Sequence, residues 1–365
     1  MLQRHDGLNG LRGPWRVYGG VAAAVVFVLA VAGCGGGAAA PSVASASSSA
    51  VPAKPASAAP SSSASGSPAA GQLVRVRSAY TAPSVVNGPL WVGLDEGIFR
   101  KNGLDVSLEL VKDTAVPPAL QGNELDFALG GGNEVVRSDL GGSSLVMVAT
   151  ASDYPIFSLL VNKKYTKVQE LAGQKIGITQ AGSATDVAAH LFFDHYQMLD
   201  AVKLTPTGTV PAIFAALSQG LLAGGILSPP TSVKATQQGF VELINGFKLG
   251  VPLTHAGVLV SRAYVASHRD VVQRILKAYA ESWTYCANPA NKAQIVKAVA
   301  KYTKSATPQA EEAYAAMLPV WQKKAVPTVD PAGIAGVLKL TDDPKAKTAK
   351  PEQFLDNSII QAVAH

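Results

Sequence analysis

The stretch "QAGSATD", residues 180–186, concentrates the groups that could hold a ligand. Ser183 and Thr185 offer hydroxyls on either side of Ala184, and Gly182 permits a tight backbone turn just before them. The apolar run "KIGITQ" precedes the stretch and a helical pattern follows it, so it reads as a helix start at the end of a strand. Free N–H groups and the helix dipole at such a start favour an anionic or electron-rich group, by about 0.3–1 kcal/mol for an exposed charge. The same orphan donors can instead be met by Ser183 capping its own helix.

Further places carry candidate ligand groups. At the end of the run "LVRVRSAY" stand Tyr80 and Thr81, an aromatic and a hydroxyl suited to a flat or apolar ligand part; Tyr80 packed in a core is the equal alternative. Gly131 and Gly132 let backbone approach closely, while Asn133 can donate or accept as it opens the next helix. Asp153, Tyr154 and Pro229 are candidates through their place in the chain, argued below. Arg137 could reach a carboxylate or sulfonate. Asp186, His190 and Asp194 recur every fourth residue opposite Val187, Leu191 and Tyr196, which makes them a solvated helix face and not a metal stripe. No nucleophile elbow, phosphate loop or HExxH pattern occurs, so neither catalytic residues nor a cofactor or metal are expected.

These candidates need elements to position them. "ALQGNELDFALGGG" (119–132) and "ALSQGLLAGGILSP" (216–229) share one plan: a helix end, a glycine, a short apolar strand and a turn of small residues. Apolar runs of four to seven residues alternate with helical patterns up to about residue 261, which points to an α/β fold with mainly parallel sheets. Two copies of one unit imply two similar lobes. Ligands of open α/β sheets sit at the carboxyl ends of the strands, so loops 130–133 and 228–230, the latter including Pro229, would face one bound molecule across a cleft. The expected division is 72–153 with 256–365 for the first lobe, including C-terminal helices, and 154–255 for the second. "SDYPIF" (152–157) would then cross between lobes, with the return near residues 250–255, making Asp153 and Tyr154 hinge or cleft-floor residues. Residues 90–99 read as a single helix, since Leu90, Leu94 and Ile98 recur every fourth position.

Ahead of this body, Arg4, Arg12 and Arg16 precede the apolar run 21–32 and then "VAGC", so residues 1–33 read as an export signal. Cys34 directly after Val31, Ala32 and Gly33 resembles the bacterial lipobox, whose cysteine is lipidated. Residues 35–71 are nearly all Ala, Ser, Gly and Pro, a composition that cannot offset the entropy of ordering. Residues 34–71 are therefore expected to be a lipidated cysteine and disordered tether, spanning about 35 Å at about 5–6 Å times the square root of residue number. The formal charge of +6 for the whole chain is mild and scattered, which argues against nucleic acid. With Cys34 lipidated, Cys286 is the remaining thiol, leaving no disulfide within the chain.

The residues also carry a resemblance. "GPLWVGLDEGIFRKNGLDVSLEL" (88–110), then "ALQGNELDFALGG", then "LAGQKIGITQAGSATD" (171–186), in that order and spacing, resemble the solute-binding proteins of ABC importers. The nearer likeness is to the branch with sulfonate, nitrate and taurine receptors and thiamine-pyrimidine-precursor proteins. It implies a two-lobed periplasmic-binding-protein fold (type II), α/β, with the ligand in the inter-lobe cleft. It also implies a small-molecule ligand, anionic or aromatic, an ABC permease with its cytoplasmic ATPase as partner, a lipid anchor in the membrane, and a monomer. A pyrimidine-synthase-like enzyme on the same fold, or a ligand-sensing subunit, is the alternative. The second unit departs from the family where Gly224 stands at a position often acidic.

Overall fold

The computed structural model describes residues 72–364; the expected signal, Cys34 and the tether lie outside the described residues. Ten strands run in the order β1 (Val74–Tyr80), β2 (Leu104–Leu110), β3 (Phe127–Gly130), β4 (Leu145–Ser152), β5 (Ser158–Val161), β6 (Lys175–Ile178), β7 (Lys203–Pro206), β8 (Gly224–Leu227), β9 (Val241–Asn245) and β10 (Ala256–Ser261). They form two five-stranded sheets, β2-β1-β3-β10-β4 and β7-β6-β8-β5-β9. The two orders superimpose term by term, and the repeated units place β3 and β8 at the centre of their sheets.

The sheets are mixed and not mainly parallel. β1 pairs parallel with β2 and β3, and β6 with β7 and β8, but β10 runs antiparallel to β3 and β4 and β5 antiparallel to β8 and β9. The reason is the double crossing of the chain. β5 and β10 each begin where the chain has just entered a lobe, at the edge where the other strands end, so each must run against its neighbours. Apolarity alone did not distinguish those two strands from the rest.

The crossings lie side by side. Leu253 N–H donates to Asp153 O at 2.9 Å and His255 N–H to Ser152 O at 2.9 Å, so two antiparallel segments join the lobes. Residues 90–99 are two helices, Gly88–Asp95 and Ile98–Lys101, because Gly97 adopts the left-handed conformation at φ 69° between them.

Helices beyond β10 complete the first lobe. Arg269–Ala287 buries Val272, Ile275, Leu276, Tyr279 and Trp283 along one face, as their spacing dictates. Full burial of such side chains contributes about 1.5–3 kcal/mol each. Trp283 also donates its indole N–H to Lys324 O at 2.9 Å, which ties the late chain to the core. Among the described residues, no helix is long and apolar enough to cross a membrane.

Candidate functional site

The first-lobe wall of the cleft is built where β1 and β3 end. After β1 the chain turns through Thr81 and Ala82, and Asn87 closes the turn by donating to Ala82 O at 2.7 Å. After β3, Gly131 is the N-cap of the helix Gly132–Leu140. Gly132 must be glycine here: a Cβ would stand 2.5 Å from the Thr254 carbonyl of the return crossing. The helix start is thus pressed against the hinge, and its first turn faces the other lobe.

The second-lobe wall comes from β6 and β8. Past β6, Ser183 caps the helix Ala184–His195, its Oγ accepting from Asp186 N–H at 3.3 Å. Thr179, Ser183 and Thr185 form a closed triangle of hydroxyls at 2.8, 2.9 and 2.9 Å, and Thr179 N–H donates to Thr185 Oγ1 at 2.8 Å. Gly182 N–H donates to Asp186 Oδ2 at 2.7 Å. The capping reading of this loop is therefore realised, and the protein's own carboxylate already sits on a helix-start amide. Past β8, Ser228, Pro229 and Pro230 are buried ahead of the helix Thr231–Gln237.

Three bridges bring the walls together. Asn133 Nδ2 and Arg137 Nη1 both donate to Gly182 O, at 2.8 and 2.9 Å. Gln180 Nε2 donates to Asp113 Oδ1 at 2.7 Å. Ser84 Oγ and Val85 N–H approach Pro229 O at 3.5 Å each. The lobes are closed on each other.

The candidate residues divide accordingly. Gly131, Gly132, Asn133, Gly182, Ser183, Ala184, Thr185 and Pro229 lie on the facing walls, with Thr81 half-buried at the end of β1. Tyr80 does not face the cleft; it is 8% exposed in the core, edge-on to Trp91 with centroids 5.6 Å apart. Its apolar neighbours supply the burial an aromatic ring at that strand end needs. Asp153 and Tyr154 belong to the hinge and not the cleft floor. The Asp153 carboxylate accepts from Thr150 Oγ1, Asp330 N–H and Lys324 Nζ, and the Tyr154 hydroxyl accepts from Lys323 Nζ at 2.7 Å. Residues 323–330 return over the hinge and occupy both.

The sequence reading included Gln180 in its leading stretch without giving it a role, and it missed Asp113 and Glu134. Glu134 is 8% exposed on the cleft helix, and among the described residues its Oε2 has no hydrogen-bond partner. Burial pushes this carboxyl up to about 8; the charge of Asp113 adds to the shift and a backbone hydrogen bond at Gly131 opposes it. A signal existed in an acid directly followed by Val135 and Val136 at the start of an apolar-flanked helix. His255, on the return crossing, is buried edge-on to Phe157 at 4.7 Å, and burial holds it down at about 4. Among the described residues, no cluster of His, Cys, Asp or Glu is arranged to hold a metal.

A family model described as NMT1/THI5 like matches residues 85–293. No curated protein matches the chain. Solved structures do. The alkanesulfonate-binding protein of Xanthomonas axonopodis pv. citri bound to MOPS is 18% identical, with a TM-score of 0.61 over 80% of this chain and 99% of that one. The ligand-binding component of an ABC-type import system from Staphylococcus aureus, with zinc bound, is 17% identical, with a TM-score of 0.63 over 79% and 98%. The periplasmic nitrate-binding protein of Synechocystis PCC 6803 is 10% identical, with a TM-score of 0.63 over 80% and 88%. At these identities the likeness establishes the periplasmic-binding-protein fold.

Proposed function

The chain belongs to the NMT1/THI5-like family, and from that premise we propose that it is an extracytoplasmic solute-binding lipoprotein of an ABC importer. It captures one small solute by lobe closure, hands it to a membrane permease served by a cytoplasmic ATPase, and catalyses no reaction. The chain acts as a monomer held at the membrane by a lipid on Cys34. The observation that carries the reading is the set of bridges from Asn133 and Arg137 to Gly182 and from Gln180 to Asp113, which close the lobes at the carboxyl ends of both sheets. A cleft that shuts over a bound molecule is a receptor's geometry, and lobe closure is a known hinge motion.

The test is a thermal-shift screen of the full-length chain against small solutes, followed by titration calorimetry on the hits. A receptor gives one saturable site per chain, and a tight solute raises stability by about 2.7 kcal/mol at a hundred times its dissociation constant. Chemical turnover of the best hit would reverse the reading in favour of an enzyme. The anchor is tested separately by following radiolabelled palmitate into the wild type and a Cys34→Ala variant; label retained by the variant removes Cys34 as the lipid site.

A further inference from the structure

Glu134 carries chemistry that the closed lobes leave unused. It stands in the first turn of the helix Gly132–Leu140, between Asn133 and Arg137, both of which reach the second lobe at Gly182. Its Oε2 lies 2.3 Å from where a Cβ on Gly130 would be, so the carboxyl folds back over the end of β3 with Leu259 alongside. Asp113, the acceptor for Gln180, is the charged neighbour that reaches it from the adjoining segment. More than nine-tenths of Glu134 is buried, and among the described residues neither a cation nor a hydrogen-bond donor meets Oε2.

The charges around it lean one way. Arg137, one turn further along the same helix, commits its guanidinium to the Gly182 carbonyl. Asp113 faces the same space, and Asp186 of the opposite wall sits on the Gly182 amide where an anion would otherwise bind. An anionic guest would meet the carboxylates of Asp113 and Asp186, one on each wall, whereas a cation would meet in Glu134 an unpartnered acid that becomes its acceptor by giving up a proton. Burying an unpaired acid is costly, and pairing it removes the cost.

We propose that Glu134 receives a protonated nitrogen of the solute, so that the cleft takes organic ammonium or amidinium compounds. This rests on reading the cleft as a solute site, and it names the class of solute in place of the simple anion that the helix start by itself favours. Without a cation, burial keeps the carboxyl protonated at neutral pH; a bound cation draws out the carboxylate and a proton leaves for solvent.

The experiment is isothermal titration of the full-length chain at pH 7 with the matched pair benzamidine and benzoate, and with phenethylamine and ethanesulfonate. Each titration is run in two buffers of different protonation enthalpy. The expected result is one-to-one binding of a cationic probe with release of most of a proton, and at least a tenfold loss of affinity in Glu134→Gln. Anion binding that Glu134→Gln leaves unchanged overturns the proposal while leaving solute capture standing. Failure of both cations to bind also overturns it, and the wider solute screen then judges capture separately. If Glu134→Gln does not fold, the proton count on the wild type decides: cation binding without proton release rejects the role of Glu134.

Discussion

Arg137 of the first lobe donates to the Gly182 carbonyl of the second at 2.9 Å, and a methyl group on Gly182 would stand 1.9 Å from the same guanidinium nitrogen. The closed state therefore depends on a missing side chain. Gly182 also sits at φ 72°, in the left-handed region.

Gly182→Ala should fold but close poorly, because Arg137 must swing away and give up its bridge. Gly208→Ala is the control: it shares a positive φ, 93°, yet its Cβ would meet nothing within 4 Å. Both variants carry a backbone cost of about 1–2 kcal/mol. Of the two glycine variants, Gly182→Ala alone should enlarge the radius of gyration in small-angle scattering, and Arg137→Ala should enlarge it to a similar degree. Equal radii for all three variants and the wild type would remove this bridge from closure.

The two perturbed buried groups give a pH profile with a calculable sign. Glu134, raised from 4.5 to about 8, keeps its proton in the folded chain after the unfolded chain has lost it, so its contribution falls as pH rises through that window. His255, lowered from 6.5 to about 4, stays neutral when the unfolded chain has charged, so its contribution falls as pH drops from 6.5 to 4. The two slopes oppose each other between about 4.5 and 6.5, and above that Glu134 acts without His255. At about 1.4 kcal/mol per unit, the ligand-free chain should lose about 2 kcal/mol between pH 6.5 and 8 on this account. Asp113, whose charge reaches Glu134, stays in both chains compared, as do Arg137 and the Asp186–His190 pair, 3.6 Å apart on one helix of the second lobe. Urea denaturation at pH 6.5 and 8 should therefore show the loss in the wild type and not in Glu134→Gln; an equal loss in both would refute it.

How much of this was legible in the sequence follows from which forces are local. The repeated helix–glycine–strand unit, and the Ser183 cap, depend on residues a few positions apart, and the structure realises them. Strand direction is not local: β5 and β10 read as apolar runs like the others, and only the two crossings turn them antiparallel. Tyr80 could pack inward or face the cleft on sequence grounds, and the choice was made by Trp91, eleven positions on and brought over it by the intervening turn. Asp153 reads from the sequence as a hinge or cleft-floor residue and a ligand candidate, but its partners Lys324 and Asp330 come from far along the chain and no spacing links them. Glu134 was passed over for the same reason, since the groups its carboxyl folds against, Gly130 of β3 and Leu259 of β10, are set by the sheet and not by its own helix.

Asp153 should prove costly to neutralise. Its side chain is 3% exposed while Lys324 is 28% exposed. Removing one member of a fully buried pair costs about 3–5 kcal/mol, and the partial exposure of Lys324 brings Asp153→Asn below that, to about 2–3 kcal/mol. Denaturant melts would show it. The distinguishing comparison is Tyr154→Phe, which removes an exposed-side hydroxyl contact to Lys323 and should cost under about 1 kcal/mol. Similar losses for the two would mean that the hinge does not depend on the buried carboxylate.

The hydroxyl triangle of Thr179, Ser183 and Thr185 separates a stability role from a ligand role. Thr185 Oγ1 accepts from Thr179 N–H at 2.8 Å and touches both other hydroxyls, so Thr185→Val keeps the shape and strands a part-buried amide. That should cost about 1–3 kcal/mol, the penalty for an unsatisfied donor. Ser183→Ala removes the N-cap contact to Asp186 and should cost about 1 kcal/mol. Thr185→Ser retains the acceptor and should recover most of the stability lost in Thr185→Val. If thermal melts show Thr185→Val as stable as the wild type while solute affinity falls, the triangle serves the guest and not the loop.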